Sequence, residues 1–256
     1  MLMHAPMPLI KILIIAVWFA ALALGERLRP ASPRPIGSDR VRLPRNLGLW
    51  AANTLINPIL VVPITIAAAA FDLWTRPAFG FWPGLALDIV MLDLWVYIWH
   101  RANHELPLLW RFHRIHHLDQ FLDASSAVRF HPGEVLLSAL ARAPLIVLAD
   151  IPLTSIALFD TLVLAAALFH HSNVRLPAKF EAALRLVLVT PSHHWVHHHV
   201  AVRDTDSNYA TVFTVWDRLF SSLSPTVRTP EMAIGTSAAI DAPLLSLVAA
   251  PFWRQG

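Results

Sequence analysis

The chain contains no cysteine. Disulfides, thiolate zinc sites, iron–sulfur clusters and a thiol nucleophile are therefore excluded, and any metal must sit on nitrogen and oxygen. Charge is also scarce. Only 14% of the 256 residues are Asp, Glu, Lys or Arg, against 56% hydrophobic and a mean hydropathy of +0.53, where soluble domains carry about 25% charged residues. This excludes a disordered chain and argues against a soluble enzyme, because a strongly apolar chain spends its residues on membrane spans of about 20 residues each. The net charge of +3 comes from 20 basic and 17 acidic residues. Its densest part is one arginine-rich segment, so no nucleic-acid partner is expected.

The first apolar run, residues 8–25, is interrupted only by Lys11 and is long enough to span. Ala21-Leu22-Ala23 resembles a cleavage site, but no basic region precedes Lys11, so a retained helix is expected. From Glu26 to Arg45 the chain carries Arg27, Arg29, Arg34, Arg40, Arg42 and Arg45 among four prolines. This reads as a basic, non-helical connector held on the cytoplasmic side. Leu47–Phe71 and Phe79–Trp99, separated by Asp72, Arg76 and Pro77, read as a helical hairpin, which returns His100 to the cytoplasmic face. Val135–Leu148 and Ile151–Phe169, split by Asp150 and Pro152, read as a second hairpin. Its first arm is short and holds Arg142, so a re-entrant or interfacial course is open. Beyond His170, Pro177, Pro191, Pro225 and Pro230 break the chain into a cytoplasmic cap, and Ala242–Trp253 reads as an interfacial or packing segment.

The expected fold is an all-α integral membrane protein, multi-pass, with four or five transmembrane or re-entrant helices and a cytoplasmic histidine-rich helical cap. One membrane domain covers 1–256. Within it, 1–99 form the N-terminal helices, 100–220 the chemistry-bearing region with the hairpin at about 135–169, and 221–256 a C-terminal segment.

Thirteen of the 14 histidines fall between His100 and His199, with His4 standing apart. His100 and His104 are one helical turn apart on one face, where both imidazoles can reach one metal. Asp93 and Tyr97 continue that stripe and are expected to orient the ring N–H groups. RFHRIHHLDQ offers His113, His116 and His117 at i, i+3, i+4, and TPSHHWVHHHV repeats the spacing with His194, His197 and His198, flanked by His193 and His199. His131 in RFHPGE and the pair His170-His171 lie between. Eight histidines in three groups exceed one tetrahedral site, so two metal ions in an imidazole-rich pocket is the economical reading. Asp119 and Asp123 either orient the second group or are solvated loop acids.

HRANH, FHRIHH, RFHPGE, FHHSN and TPSHHWVHH followed by SNYATVFTVWDRLF resemble the fatty acid hydroxylase/sterol desaturase superfamily, continuously from about His100 to Phe220. The resemblance implies a membrane oxygenase whose cytoplasmic histidines bind two non-haem irons and use O2 to hydroxylate or desaturate a C–H bond of a membrane lipid. It carries the ligand role to His100 and His104, to His113, His116 and His117, to His194, His197 and His198, and to His170 or His171, with His131 a ligand or a supporting residue. Asn208, Tyr209, Asp217 and Arg218 match family positions in a polar network that closes the pocket. Leu118, Ala210 and Ser221-Ser222 depart from the family pattern, which has a small polar residue, a glycine and glycine-threonine there. HPGE is not the haem-binding HPGG, and no G-x-G-x-x-G is present. Electrons are therefore expected from an external ferredoxin or cytochrome b5-type chain.

Other chemistries fit the residues less well. His104-Glu105 begins the zinc-protease motif H-E-x-x-H, but position 108 is Leu108. A histidine-rich membrane metal-binding or transport protein without oxygenase activity remains the alternative, although a transporter places its ligands near the bilayer midplane.

Overall fold

The computed structural model describes residues 7–237 and 241–253; His4 lies outside them. Every named element among them is helical, and strand pairing is limited to isolated bridges such as Pro30 with Val174.

Helix α1 is Met7–Leu28 and α2 is Asp39–Ile56. α2 runs through a π-helical turn, Asn57–Val61, into α3, Val62–Ala69. Pro58 and Pro63 lack the N–H that a regular ladder needs, and a wide turn absorbs that loss without ending the helix. The expectation of a non-helical connector from Glu26 to Arg45 is thereby corrected, since only the stretch between α1 and α2 is irregular and Arg40, Arg42 and Arg45 are helical. Tertiary contacts explain the difference. Arg42 and Asn46, one turn apart on the buried face of α2, both bond the Asp119 carboxylate (2.5–3.1 Å), and Arg42 also bonds Asp123 at 3.1 Å. Arg34 reaches Asp123 at 2.8 Å and Arg45 reaches Asp241 at 2.7 Å. The arginine segment thus grips the histidine-bearing region, and the two share one face of the bundle.

After Gly80, whose φ of 76° suits a residue without Cβ, α4 runs from Phe81 to Glu105. Pro107 opens α5, Pro107–His117, in the position where a missing N–H costs nothing. α6, Pro132–Ala149, and α7, Leu153–His171, form the second hairpin, turned by Asp150 in left-handed conformation (φ 48°). Arg142 is neutralised by Asp160 at 2.6 Å. Among the described residues four stretches are long and apolar enough to cross a membrane: Asp39–Ala69, Phe81–Glu105, Pro132–Ala149 and Leu153–His171. α1 adds an apolar run whose one charge before Glu26 is Lys11.

Two apolar layers hold the bundle. Ala68, Leu92, Ile146, Ile156 and Phe159 join α3, α4, α6 and α7 toward the far end. There Arg76 closes a bidentate pair with the buried Asp88. Nearer the histidines, Leu22, Ala124, Ala127, Ala167 and Leu168 join α1 and α7.

The remaining helices are short: α8 Ala178–Leu184, α9 Pro191–His197, α10 Val202–Thr205, α11 Val215–Leu219 and α12 Leu244–Ala249. α12 packs as the sequence suggests, with Leu247 buried against Leu49, Ile115 and Leu118. The close approach depends on Gly48, where a Cβ would stand 2.4 Å from Leu244.

Candidate metal centre

Four helices end on one place. His100 and His104 occupy the last turns of α4, His113, His116 and His117 the last turns of α5, and His170 and His171 the end of α7. His194 and His197 lie on α9, with His198 at its C-cap. Helix C-termini carry partial negative charge, so this convergence favours a bound cation before any side chain is counted.

The imidazoles form two groups. His100, His104, His113, His117 and His197 offer nitrogens within 4.8 Å of one another, and so do His116, His171, His194 and His198. The groups share a wall where His117 stacks on His198, with centroids 4.2 Å apart.

Hydrogen bonds fix which nitrogen faces inward. The Nδ1–H of His100 donates to the Tyr209 carbonyl at 2.7 Å, that of His116 to Arg129 at 3.2 Å, that of His171 to Ala167 at 2.8 Å and that of His197 to Ser207 at 2.7 Å. His113 donates to Glu134 at 2.6 Å and His104 faces Asp206 at 3.3 Å. A neutral ring that donates from Nδ1 carries a lone pair on Nε2. His116 and His171 are both so fixed, yet their Nε2 atoms lie 3.0 Å apart. Two lone pairs at that distance repel unless a cation sits between them. His171–His194 at 3.0 Å, His194–His198 at 3.1 Å and His113–His117 at 3.3 Å repeat the spacing. Nitrogens about 2.0–2.1 Å from one ion would stand roughly 3.3 Å apart in a tetrahedral site.

Protonation is no escape from this repulsion. Burial, reinforced by neighbouring imidazoles, holds His116, His117, His194 and His198 well below the ordinary imidazole range. The inward Nε2 atoms of His104 and His197 are buried without a hydrogen-bond partner. The residues present therefore fit a nitrogen-bound metal.

Other expected residues have different roles. His170 lies outside both groups, its ring 4.0 Å from that of His194. Both nitrogens of His131 are used by the protein: Nδ1 accepts from the Gly133 N–H at 2.9 Å and Nε2 donates to the Val248 carbonyl at 3.0 Å. Asp93 and Tyr97 touch no ligand nitrogen. Asp93 accepts from Trp216 Nε1 at 2.7 Å and from the Phe213 N–H, while Tyr97 bonds Ser222 at 2.8 Å. They face the returning chain because residues 213–222 pack over that part of α4 and bond both side chains. Asp119 and Asp123 are neither imidazole partners nor solvated, since Arg42 claims both. Asn208, in left-handed conformation (φ 52°), bonds the His193 carbonyl at 3.0 Å.

The orienting groups missed from the sequence are Glu134, Asp206 and four backbone carbonyls. Glu134 was within view in RFHPGE, three residues after His131; carbonyls leave no mark in a sequence. Asp217 supports one of them, binding the N–H groups of Tyr209 and Ala210 and the ring of His193 at 2.8–3.1 Å. An open pocket of about 330 Å³, lined by Arg101, His104, Asp206, Tyr209, Phe220 and Ser222 among others, leads to the five-histidine group.

A family model for fatty acid hydroxylases matches residues 85–222, which contain every one of these imidazoles. The chain belongs to the fatty acid hydroxylase family. Alkylglycerol monooxygenase of Danio rerio is 34% identical over 139 residues, 54% of this chain and 30% of that protein. Ornithine lipid hydroxylase OlsE of Rhizobium tropici is 29% identical over 206 residues, 76% of this chain and 60% of the relative. A cholesterol 25-hydroxylase-like protein of Danio rerio is 31% identical over 142 residues, 54% and 55% of the two chains. The matches thus span less than two thirds of each relative's length. No solved structure matches the chain.

Proposed function

We propose that the protein is an O2-dependent hydroxylase of a membrane lipid, with two non-haem irons as its cofactor. The observation that carries this reading is the inward convergence of nine Nε2-presenting imidazoles in two adjoining groups. His100, His104, His113, His117 and His197 would hold one iron, and His116, His171, His194 and His198 the other. When bound, such a pair would relay the donor's electrons to O2 and activate it for attack on an unactivated C–H bond.

The chain's own residues do the rest. The Tyr209, Arg129, Ala167 and Ser207 carbonyls and the Glu134 carboxylate hold protons on Nδ1, which fixes ring orientation and leaves Nε2 basic. Burial of the imidazoles keeps bulk water from the reacting region. The pocket at His104 gives a substrate its approach, with Arg101, Glu105 and Asp206 at the mouth for a polar headgroup and Tyr209 and Phe220 beside a chain.

The reaction inserts one oxygen atom into a C–H bond and releases the other as water, consuming two electrons and two protons. Those electrons come from an external ferredoxin or cytochrome b5-type donor. The relatives are named as monooxygenases and hydroxylases of ether, ornithine and sterol-like lipids, which favours hydroxylation over desaturation. We place the active site on the cytoplasmic face, because the arginine segment joins it there.

Purified protein in vesicles of host lipids, supplied with ferredoxin, its reductase and ¹⁸O2, should release a lipid carrying one ¹⁸O atom. Unchanged lipids together with metal flux across the vesicles would replace the oxygenase reading with transport.

A further inference from the structure

Among the described residues after His171 no helix is long and apolar enough to span, yet this part is not clothed as a water-facing cap. Leu186, Val187, Val215, Leu219 and Phe220 are 42–66% exposed and belong to one surface. The Thr214 N–H bonds the Val187 carbonyl at 3.0 Å, and the Arg218 guanidinium bonds the Arg185 and Leu186 carbonyls at 2.8 and 2.7 Å.

The depth of this surface follows from α4. Phe213 and Trp216 are bound to Asp93, and Phe220 stacks on Tyr97 with centroids 5.2 Å apart. At 1.5 Å per residue, Asp93 lies about 18 Å and Tyr97 about 24 Å along the helix from Phe81. Arg101, the first charged residue after Asp93, lies about 30 Å along, close to the full thickness of a bilayer's hydrocarbon core. The apolar surface is therefore fastened to the part of α4 that lies within hydrocarbon, where Ile98, next in sequence to Tyr97, is itself 53% exposed.

We propose that residues 186–187 and α11 form a wedge embedded among the acyl chains of the bilayer, on the same side as the histidine groups. A contiguous exposed apolar surface of this kind marks an interaction site. Continuity with the membrane face of α4 commits it to lipid. The backbone chemistry agrees: unpaired carbonyls and bare cations are both costly in hydrocarbon, and here the Arg218 guanidinium and the Arg185 and Leu186 carbonyls partner each other, with Thr214 Oγ1 accepting from Arg218 at 2.7 Å. Phe220 at the wedge's end also lines the pocket that opens on His104. The pocket mouth then lies at headgroup level, and a lipid reaches it from within the leaflet; this last step rests on the lipid chemistry proposed above.

The absence of native cysteine makes the test direct. Leu186→Cys, Val187→Cys, Val215→Cys and Leu219→Cys, each carrying a nitroxide label, are reconstituted in phosphatidylcholine vesicles, with Ile98→Cys as lipid reference and Arg203→Cys as water reference. All four sites are exposed, so the substitutions remove little packing. The expected result is collision with O2 exceeding collision with a water-soluble nickel chelate at all four, as at position 98. Chelate access matching position 203 would overturn the wedge and return the surface to water. Shielding from both relaxants would also overturn it, assigning the surface to a second copy of the chain. Neither reading depends on enzymatic activity.

Discussion

The Glu134 carboxylate accepts the Nδ1 proton of His113 at 2.6 Å, across a loop that joins the end of α5 to the first turn of α6. Both side chains are buried, so the contact fixes one imidazole of the five-histidine group from outside it. Glu134→Ala should weaken metal retention about 10–100-fold, the usual cost of removing an outer carboxylate from a ligating histidine. Glu134→Gln, which keeps an acceptor, should fall nearer the wild type. Metal content after graded chelation checks this, and wild-type retention by the alanine variant would remove Glu134 from the site.

His170 and His171 separate the two kinds of buried histidine. His171→Ala should lower metal content by about half, because it belongs to the four-histidine group, whereas His170→Gln should retain both ions. Metal analysis of the two purified variants decides the assignment, and the reverse pattern would exchange their roles.

The arginine clasp makes a prediction about pH. Burial alone would raise the Asp123 carboxyl, but the charge and hydrogen bond of Arg42, with the Ser125 hydrogen bond and Arg34, hold it at about 2. The unfolded chain, with Asp near 3.9, binds more protons between the two values. The contribution is therefore complete above about pH 4 and lost as pH falls through the folded value, and it amounts to roughly 2 kcal/mol. Asp123→Asn should lose that stability at neutral pH and show a flatter acid limb. Thermal unfolding in detergent from pH 3 to 7 measures both; parallel curves would mean that the pair is not coupled to folding.

Ser221 holds φ at 56°, a conformation that costs a residue with a Cβ about 1 kcal/mol. The glycine that the resemblance expects at this position would adopt the same φ without that cost. Ser221→Gly should raise stability by about 0.5–1 kcal/mol with metal content unchanged. An equal or lower melting temperature would mean that the Ser221 side chain has a compensating contact.

What the sequence displays is what periodicity and spacing encode. H-x-x-x-H and H-x-x-H-H place imidazoles on helix faces, and the apolar runs place the hairpins, because both properties are local. Partner choice is not local. Asp93 and Tyr97 share a helical stripe with His100 and His104, but Trp216 and Ser222, more than a hundred residues later, claim them. Arg42 resembles a loop charge until Asp119 arrives from 77 positions away. The choice between His170 and His171 depends on the angle at which α7 ends, which no spacing rule supplies. Glu134 and Asp206 are single acids whose relation to a ligand exists only in three dimensions.

Two irons sharing this imidazole pocket would account for both histidine groups at once. The most direct test is iron content with a Mössbauer spectrum of protein purified anaerobically from cells grown on iron-57. Two irons per chain with a coupled, nitrogen-rich signature is the expected result. One uncoupled iron per chain, or zinc that iron does not displace, would contradict it.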